Sequence, residues 1–503
     1  MFMVGFWRYQ NGFLVVIALL PLIYFLQIAQ KRKLSAKKVI TVFWLSGLVG
    51  YLGIMAWVLS IRPETWSGIE GKVPLMFVVA VWLVSGLALS VGPLLFAFFI
   101  TRPKKLNLQN SSIIILLPAA WVVSEYARSW ILSLTWYGSN GTLGAHWNFG
   151  TLGLGLAATP LATISRLVGL YGLTFLAVSL NITIYWLLKR QFKQSAIVLG
   201  AVSLILVISQ VAYRPEGRSA RVGIVQLPNS RNISYQQLAK KLEDNSKQRV
   251  DILVLPEYAN FFESTPTETS QQILTSVFGN QKGVGIYSRE HDDSYGQIEK
   301  QRTDQTVYFN ERGEILATQD KWFLIPHGEY LPTTIRLVLG WTGHEALIGD
   351  FNRARALKKA EHPERVISYN NTKVGAIACS GIVSPALYRS LANKGADVLV
   401  NTASLNIFRS SEYFQQTKML ARFNAVANNR PFAQATQDGY SYLINSDGQF
   451  LLETIDKNLN YITAETTMPN HQTLYSKFGD FVVFLSVVTL AIIARREKWQ
   501  LHK

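Results

Sequence analysis

Hydrophobic residues are distributed along this chain in two ways, as long uninterrupted runs and as short runs between polar stretches. The long runs lie at about 13–30, 39–61, 73–100, 112–134, 164–188, 195–213 and 481–494. A membrane helix needs about 20 consecutive, mostly apolar residues to cross a bilayer. The pattern therefore predicts a polytopic α-helical membrane bundle of about seven spans.

The short apolar runs fall between residues 214 and 478 and are typical of β-strands. The clearest are 222–226, 252–255, 284–287, 306–309, 374–378 and 397–400. Helical patterns follow the first, second and fifth of these runs, and this alternation predicts an α/β layered domain. We therefore expect a membrane bundle at 1–213 with about six spans, a water-soluble domain at 214–470, and a membrane helix with a basic tail at 479–503.

The charge distribution predicts how the chain is oriented. The formal net charge is +17, but the segment 214–478 holds 29 Lys and Arg against 27 Asp and Glu. Much of the excess lies in four alternate connections, at 31–38, 102–105, 189–193 and 495–503. Positive connections stay in the cytoplasm, so the connections 62–72 and 135–163 and the large segment are expected outside. A nucleic-acid partner is excluded, because the excess basic residues lie in the connections that set the membrane orientation and not on the large segment.

The chemistry of the large segment centres on Cys379, the only cysteine among 503 residues. A lone thiol forms no intramolecular disulfide, so it is either an inert buried residue, the more frequent case, or a nucleophile. Glu257 and Lys321 are two further isolated polar residues at strand ends. A carboxylate base, an ammonium group and a thiol are the parts that acyl transfer requires. No metal, cofactor or disulfide is expected.

The order of these three residues resembles the nitrilase, or carbon–nitrogen hydrolase, superfamily. With membrane helices on both sides, the chain resembles the apolipoprotein N-acyltransferase family of bacterial inner membranes. The most specific motif is Lys-Trp-Phe-Leu-Ile-Pro-His-Gly-Glu-Tyr-Leu-Pro, at 321–332. Further motifs follow the family's order at 121–128, 136–138, 160–181, 429–431, 435–436, 439–441, 447–448 and 473–480. The resemblance implies a nitrilase-like αββα sandwich on the exported, periplasmic side.

The resemblance also implies an activity and roles for particular residues. A phospholipid would give an acyl chain to Cys379, and the α-amine of a diacylglyceryl-cysteine lipoprotein would receive it. Glu257 would be the general base and Lys321 would stabilise the oxyanion. Glu329 matches a second glutamate that assists the family's site, and Tyr235 matches an aromatic residue near the thioester. The expected location is the bacterial inner membrane.

The sequence departs from the family pattern in three places. Ser380 and Gly381 replace the aromatic and acidic residues that usually follow the cysteine. The stretch 401–408 lacks the usual Asn-Asp followed by Trp-Phe. Family members generally have eight spans, whereas this sequence predicts seven. These departures indicate a divergent paralogue that forms the acyl-enzyme and has a specialised acceptor.

Two other functions remain open from the sequence. A membrane-anchored amidase would use the same three residues and let water open the acyl-enzyme. A non-catalytic scaffold or lipid-binding protein would have lost activity through the changes at 380 and 381. Elsewhere, Glu125 and Arg128 lie on one helical face and are interpreted as a structural ion pair or as the lining of a headgroup cavity. The aromatic loop 135–163 is interpreted as an interfacial belt.

Overall fold

The computed structural model describes residues 2–61, 73–102, 108, 111–214, 216–228, 235–243, 249–292 and 302–501. The predicted connection 62–72, most of the basic connection 102–105 and the last two residues of the tail lie outside this described part.

The N-terminal region is helical throughout its described parts. Its α-helices are α1 Val4–Trp7, α2 Leu20–Lys31, α3 Ala36–Ile54, α4 Val73–Thr101, α5 Ile113–Thr135, α6 Leu152–Leu156, α7 Ser165–Leu188 and α8 Phe192–Ala212. Short 3-10 helices lie at Tyr9–Val16, Ala56–Ser60 and Pro160–Ile164. Each of the six long apolar runs in this region therefore contains helix.

Five helical segments of the described chain are long and apolar enough to cross a membrane. They are Tyr9–Lys31, Ala36–Ser60, Leu75–Thr101, Pro160–Leu188 and Phe192–Ala212. The helix α5 carries two charged residues, and the apolar part of the C-terminal helix, Phe481–Arg495, is shorter. The membrane bundle is thus present, while the count of seven spans stays a prediction.

The charged residues of α5 have a structural role. Glu125 accepts hydrogen bonds from the Leu152 amide at 2.8 Å and from the Thr174 hydroxyl at 2.7 Å. Arg128 donates to the Phe149 carbonyl at 3.2 Å, and both charged side chains are buried. A buried ionisable group is stable only when its polar atoms have partners. The pair therefore fixes the turn before α6, which favours the structural interpretation over a headgroup cavity.

The segment after residue 216 forms two six-stranded sheets, and all six predicted strands are present. The strands are β1 Gly217–Gln226, β2 Ile252–Val254, β3 Val284–Asp292, β4 Arg302–Asn310, β5 Ile315–Asp320, β6 Ile367–Tyr369, β7 Thr372–Ala378, β8 Val398–Ser404, β9 Phe432–Gln437, β10 Tyr442–Ile444, β11 Phe450–Glu453 and β12 Asn460–Pro469. The first sheet has the order β12-β1-β2-β3-β4-β5, and the second has the order β11-β10-β9-β8-β7-β6.

The helices of this segment are α9 Tyr235–Glu243, α10 Phe261–Ser264, α11 Thr267–Phe278, α12 Thr333–Trp341, α13 Ala346–Ala354, α14 Pro385–Asn393, α15 Ser411–Asn428, α16 Leu474–Phe478 and α17 Phe481–Leu501. Helices α9, α11, α14 and α15 pack on the sandwich, whereas α17 packs against α5 and α7 of the bundle. A buried cluster of aliphatic residues from both sheets, including Ile224, Val254, Val374 and Val400, forms the core between them. The predicted αββα sandwich is therefore confirmed.

The second sheet and its helices lie against the membrane bundle. Arg422 of α15 donates a hydrogen bond to the Ala157 carbonyl at 2.6 Å. Arg166, at the start of α7, is buried and donates to the Ser446 carbonyl at 2.8 Å and to the Asp447 carboxylate at 2.6 Å. These bonds fix the sandwich on the bundle, although the exact domain boundaries at 213 and 470 stay a prediction.

Gly169 shows how closely the two parts approach. Its φ is +68°, and a Cβ placed there would lie 2.4 Å from the Tyr475 ring. Only glycine combines this backbone conformation with such a close contact. Two of the sequence motifs, one in α7 and one before α17, therefore meet at this point.

The aromatic loop 135–163 does not form the predicted interfacial belt. Trp136 is buried, donates from Nε1 to the Ser85 hydroxyl at 3.0 Å, and contacts the His327 ring. The rings of His146 and Trp147 pack on Phe323 at centroid distances of 5.2 and 5.4 Å. The belt interpretation is wrong for these residues, because they cover the sandwich near the Lys321 loop instead of facing lipid.

Candidate active site

The fold brings the three candidate catalytic residues to one edge of the sandwich. Glu257 lies three residues beyond β2, Lys321 directly follows β5, and Cys379 directly follows β7. The first two belong to one sheet and the third to the other, so the site lies where the facing sheets meet. All three side chains are buried.

Lys321 is the centre of a buried ionic cluster. Its Nζ lies 3.1 Å from Glu257 Oε1, 2.7 Å from Glu329 Oε1 and 3.1 Å from Asp304 Oδ2. The three carboxylates converge closely enough to suit a metal ion. The ammonium group takes that position, and it supplies the positive charge that a metal would otherwise provide.

The remaining oxygens of the two glutamates are fixed by backbone amides. Glu257 Oε2 accepts from the Ser404 amide at the end of β8, at 2.8 Å. Glu329 Oε2 accepts from the Ile325 amide at the same distance. Each glutamate therefore has one oxygen on the ammonium and one on the backbone, so its orientation is set before any substrate binds.

The cluster changes the proton affinities of its members. Burial alone would lower the pKa of the Lys321 ammonium, but the carboxylates of Glu257, Glu329 and Asp304 outweigh it and raise that pKa well above its usual range. Burial raises the pKa of Glu329, although Lys321 opposes the shift. Lysine is therefore a permanent cation here and serves as an electrostatic group, not as a base.

Cys379 is a protonated thiol at rest, held next to its base. Burial raises the pKa of the thiol well above its ordinary value, and the adjacent Glu257 carboxylate, which the thiol hydrogen-bonds, raises it further. The nearby ammonium of Lys321 acts in the opposite direction. The thiol also lies 3.7 Å from the Ser404 carbonyl. Glu257 is therefore the candidate group to take the thiol proton when the sulfur attacks.

The backbone at Cys379 is strained in a way that exposes the thiol to the site. Its φ is +37°, a conformation that costs a non-glycine residue of the order of 1–3 kcal/mol. The Asn401 side chain of the neighbouring strand β8 donates to the Cys379 carbonyl at 3.3 Å and to the Ile377 carbonyl at 3.1 Å. These bonds hold the sharp change of direction between β7 and the following 3-10 helix.

The two residues after the cysteine explain the departure from the family pattern. Ser380 donates from its hydroxyl to the Phe323 carbonyl at 2.8 Å, which joins the cysteine loop to the lysine loop. A Cβ at Gly381 would lie 2.0 Å from Ile377 Cγ2, so no side chain fits there. An acidic residue at 381 is therefore incompatible with this packing.

Asp304 is a site residue that the sequence analysis missed. It lies within β4, is fully buried, and its backbone carbonyl also accepts from the Lys321 amide at 2.7 Å. Burial and the neighbouring Glu257 raise its pKa well above the usual range, and Lys321 opposes this shift. In the sequence, Asp304 could be noticed only as the one carboxylate within the apolar and polar residues of β4.

Tyr235 lies apart from the other predicted site residues. It starts α9, its hydroxyl donates to the Ala259 carbonyl, and its ring packs on Phe261. Among the contacts of the described residues, none joins Tyr235 to Cys379 or Lys321. It supports the segment that follows Glu257, and a role near a thioester stays a prediction. Glu329, by contrast, is brought directly into the cluster.

An apolar cleft leads from the site toward the membrane helices. It encloses about 90 Å³ and is partly open to the surface. The bundle lines it with residues such as Trp57, Val81 and Leu132, and the sandwich lines it with Ile325, Ser380 and Phe408. Because Ser380 directly follows Cys379, the cleft reaches the residue next to the nucleophile.

Comparisons with known proteins agree with this architecture. Residues 221–474 match the family described as carbon–nitrogen hydrolase, and residues 1–183 match the apolipoprotein N-acyltransferase N-terminal domain. The chain is 25% identical to a Geobacter metallireducens apolipoprotein N-acyltransferase, with 91% of this chain and 87% of the relative covered. A Nostoc relative of the same name is also 25% identical, with 94% and 93% covered.

Among solved structures, an amidase from Nesterenkonia sp. AN1 is 18% identical and covers 48% of this chain and 92% of its own, with a TM-score of 0.35. The fold assignment rests on the sheet topology and on the family match to 221–474. The chain belongs to the carbon–nitrogen hydrolase family. Within it, the N-terminal match groups the chain with the apolipoprotein N-acyltransferases, which confirms the resemblance seen in the sequence.

Proposed function

We propose that this protein transfers a fatty acyl chain from a phospholipid, through a thioester on Cys379, to the N-terminal amine of a diacylglyceryl-cysteine lipoprotein. One observation carries the proposal. A thiol, a carboxylate and a fixed ammonium group are buried together next to Ser380, which lines an apolar cleft whose other wall is formed by helices of the bundle. The membership of the family and the near full-length match to named acyltransferases support it.

In the first half-reaction, Cys379 Sγ attacks the ester carbonyl carbon while Glu257 takes the thiol proton. Negative charge then develops on the carbonyl oxygen, and Lys321, held in place by three carboxylates, stabilises it. The carbon–oxygen bond breaks, and Glu257 returns the proton to the departing alcohol of the lysophospholipid. The product is a thioacyl-enzyme.

In the second half-reaction, the lipoprotein amine attacks the thioester carbonyl carbon. Glu257 takes one proton from the amine, and Lys321 again stabilises the oxyanion. The carbon–sulfur bond breaks, and the sulfur takes the proton back from Glu257. The amide is released, and the enzyme returns to its resting state with a neutral thiol.

A lipid donor is favoured by the chemistry of the cleft. Its walls carry aliphatic and aromatic side chains from both halves of the molecule, including Val81 and Phe408. Each methylene group that leaves water for such a site contributes about 0.8 kcal/mol. The same apolar walls exclude water from the thioester, so an amine brought in by its own lipid competes well with hydrolysis.

The proposed location follows from the basic connections. We place the protein in the bacterial inner membrane with the sandwich on the periplasmic side, because the connections at 31–38 and 189–193 are strongly basic and basic connections favour the cytoplasm. This orientation puts the site on the side that an exported lipoprotein would reach.

A single-cysteine labelling experiment tests the orientation. In a Cys379→Ala background, Arg312→Cys lies on the exposed turn between β4 and β5 of the sandwich, and Lys37→Cys lies in a basic connection. A membrane-impermeant maleimide added to intact spheroplasts should label Arg312→Cys alone. Labelling of Lys37→Cys alone would reverse the proposed topology.

The activity is tested by transfer of a labelled acyl chain. We expect proteoliposomes that contain an alkyne-tagged phospholipid to pass the tag to a diacylglyceryl-cysteine peptide, and Cys379→Ser to abolish this transfer. A peptide with an acetylated N-terminus is the matched control and should gain nothing. Release of the tag as free fatty acid, with or without peptide, would favour the amidase-like hydrolase, an alternative that the family match does not favour.

A further inference from the structure

One part of the sandwich leaves its surface beside the active site and returns to it. The chain departs after Glu329, forms α12 and α13, and comes back at Leu357, whose amide donates to the Glu329 carbonyl at 2.8 Å. Three residues later, the Ala360 amide donates to the Lys321 carbonyl at 3.1 Å. We call residues 333–356 the hairpin. The chain that returns from the hairpin is therefore bonded to two residues of the ionic cluster, and the hairpin begins four residues after Glu329.

The first helix of the hairpin exposes an apolar stripe. Leu337, Val338 and Trp341 are 52%, 50% and 85% exposed, and Thr334 lies on the same face one turn earlier. The spacing of three and four residues places all four side chains in one row along the helix. None of the residues of α12 is buried. A tryptophan and two branched aliphatic residues thus face outward side by side, an arrangement that is unfavourable in water.

The base of the hairpin lies at the level where the spanning helices end. The Thr333 amide donates to the Tyr137 carbonyl at 2.8 Å, and the Thr334 hydroxyl donates to the Thr135 carbonyl at 3.1 Å. Thr135 is the last residue of α5. On the other side, Phe77 in the first turns of α4 contacts the His327 ring. The stripe therefore begins where the bundle meets the sandwich.

The charge of the hairpin suits a lipid surface. The hairpin carries three Arg against two Asp and Glu, and Lys358 and Lys359 follow shortly after it. Helices that lie in a membrane interface combine an apolar face with basic residues and commonly place tryptophan at headgroup depth. A contiguous row of this kind is uncommon on a helix that faces only water.

We propose that the hairpin is an interfacial anchor that inserts the stripe of α12 into the lipid surface on the side of the sandwich. The occupant of this face is the bilayer that already surrounds the bundle. Because the hairpin begins shortly after Glu329 and the returning chain is bonded to Glu329 and Lys321, insertion holds the ionic cluster at headgroup depth. This inference rests on the membrane location of the protein and does not depend on the acyl-transfer chemistry.

Depth-dependent fluorescence tests the insertion directly. In a Cys379→Ala background, Val338→Cys is labelled with an environment-sensitive fluorophore and the full-length protein is reconstituted in phosphatidylglycerol and phosphatidylcholine vesicles. Arg312→Cys, on the exposed turn between β4 and β5, is the matched control. We expect strong quenching of the Val338 probe by a doxyl-labelled lipid and at least fivefold weaker quenching by aqueous iodide than at Arg312.

The opposite results would overturn the proposal. Equal iodide quenching at both positions would mean that the stripe faces water. A second contrary result is shielding of the Val338 probe from iodide that is as strong in detergent micelles as in vesicles and is seen only at high protein concentration. That result would mean that a second copy of the chain covers the stripe. Since no activity is measured, a failure here is separate from a failure of the proposed acyl transfer.

Discussion

At the scale of single residues, the site is governed by the balance between one cation and three carboxyl groups. If Glu257, Glu329 and Asp304 were all ionised, the cluster with Lys321 would carry an excess negative charge in a buried place, which is costly. The raised pKa values of Asp304 and Glu329 reduce that excess. Asp304, which is fully buried and has no hydrogen bond from an amide or hydroxyl in the described chain, is the group best suited to stay protonated.

This charge state predicts different results for two similar substitutions. Glu257→Gln removes the base and should lower acyl-enzyme formation by about a hundredfold or more. Asp304→Asn replaces a protonated carboxyl with a neutral group of the same shape and should cost less than about tenfold. Both rates are measured by intact mass after a short incubation with phospholipid. An Asp304→Asn enzyme as slow as Glu257→Gln would show that Asp304 acts as an ionised group.

The thiol of Cys379 should respond to pH in a characteristic way. A raised pKa means a smaller thiolate fraction at any given pH, so alkylation by iodoacetamide should be slow near pH 7 and should still rise above pH 9. Glutathione, whose thiol has an ordinary pKa, is the reference and should level off earlier. Because the chain has one cysteine, the adduct mass reports this residue alone. A plateau below pH 8 would show that Lys321 ionises the thiol at rest.

The same scale shows what the sequence could reveal about the site. Glu257, Lys321 and Cys379 stand out because each is an isolated polar residue at the end of an apolar strand, and Glu329 follows from its motif. Asp304 does not stand out, because it lies inside β4 and only the register of that strand against β3 and β5 turns it toward Lys321. Only the family resemblance indicates Tyr235 as a site residue, and in the structure its ring packs on Phe261.

At the scale of elements, the turn after β7 is the most constrained part of the site. The strained Cys379, the hydrogen bonds of Asn401 and the side-chain-free position at Gly381 all serve this turn. The strain is retained because neighbouring strands hold the backbone from two sides. The glycine at 381, in place of the usual acidic residue, is thus required by the packing of this turn. A carboxyl group reaches Lys321 from a different strand instead, through Asp304 of β4.

A single methyl group should disturb this turn. Gly381→Ala would place a Cβ against Ile377 and should lower the unfolding temperature and slow acyl-enzyme formation, because overpacking typically costs 1–3 kcal/mol. Gly200→Ala, in α8, is the matched control, since no atom lies within 4 Å of its added Cβ. Thermal unfolding in detergent compares the two variants with the parent. Parent-like stability and rate for Gly381→Ala would contradict the packing argument.

The elements found from the sequence are those with a clear apolar period. The six predicted strands and the long helices have one, whereas β9 and β12 carry many polar side chains that the sheet nevertheless holds. In β12, ten residues pair with β1, and this long-range pairing overrides the weak local pattern. The loop 135–163 was misassigned for a related reason, since aromatic residues suit a lipid interface and a protein interface equally well.

At the scale of the whole molecule, the function comes from the contact between two parts. The bundle alone offers an apolar surface, and the sandwich alone offers the nucleophile and its base. Their junction forms a cleft that is apolar on both sides and reaches Ser380, the residue after Cys379. The sequence predicts each part, but the cleft depends on the docking contacts of residues such as Arg166 and Arg422, which no local pattern reveals.

The cleft predicts a dependence on acyl-chain length. Val81→Trp would fill part of the cleft from the bundle side and should shift acylation of Cys379 toward shorter chains. Val79→Trp is the matched control, because Val79 is exposed on the outer surface of the same helix. Intact-mass analysis with phospholipids of mixed chain length gives the distribution for each variant. An unchanged distribution for Val81→Trp would mean that the chain binds elsewhere.

Acyl transfer through Cys379 is tested most directly by intact-mass analysis of the detergent-purified protein and its Cys379→Ser form. The protein is incubated first with phospholipid and then with a diacylglyceryl-cysteine peptide. The protein should gain one acyl chain, and this gain should require Cys379 and persist in water. The chain should then move to the peptide amine. Absence of any mass gain, or loss of the acyl chain to water with the peptide present, would contradict acyl transfer through Cys379.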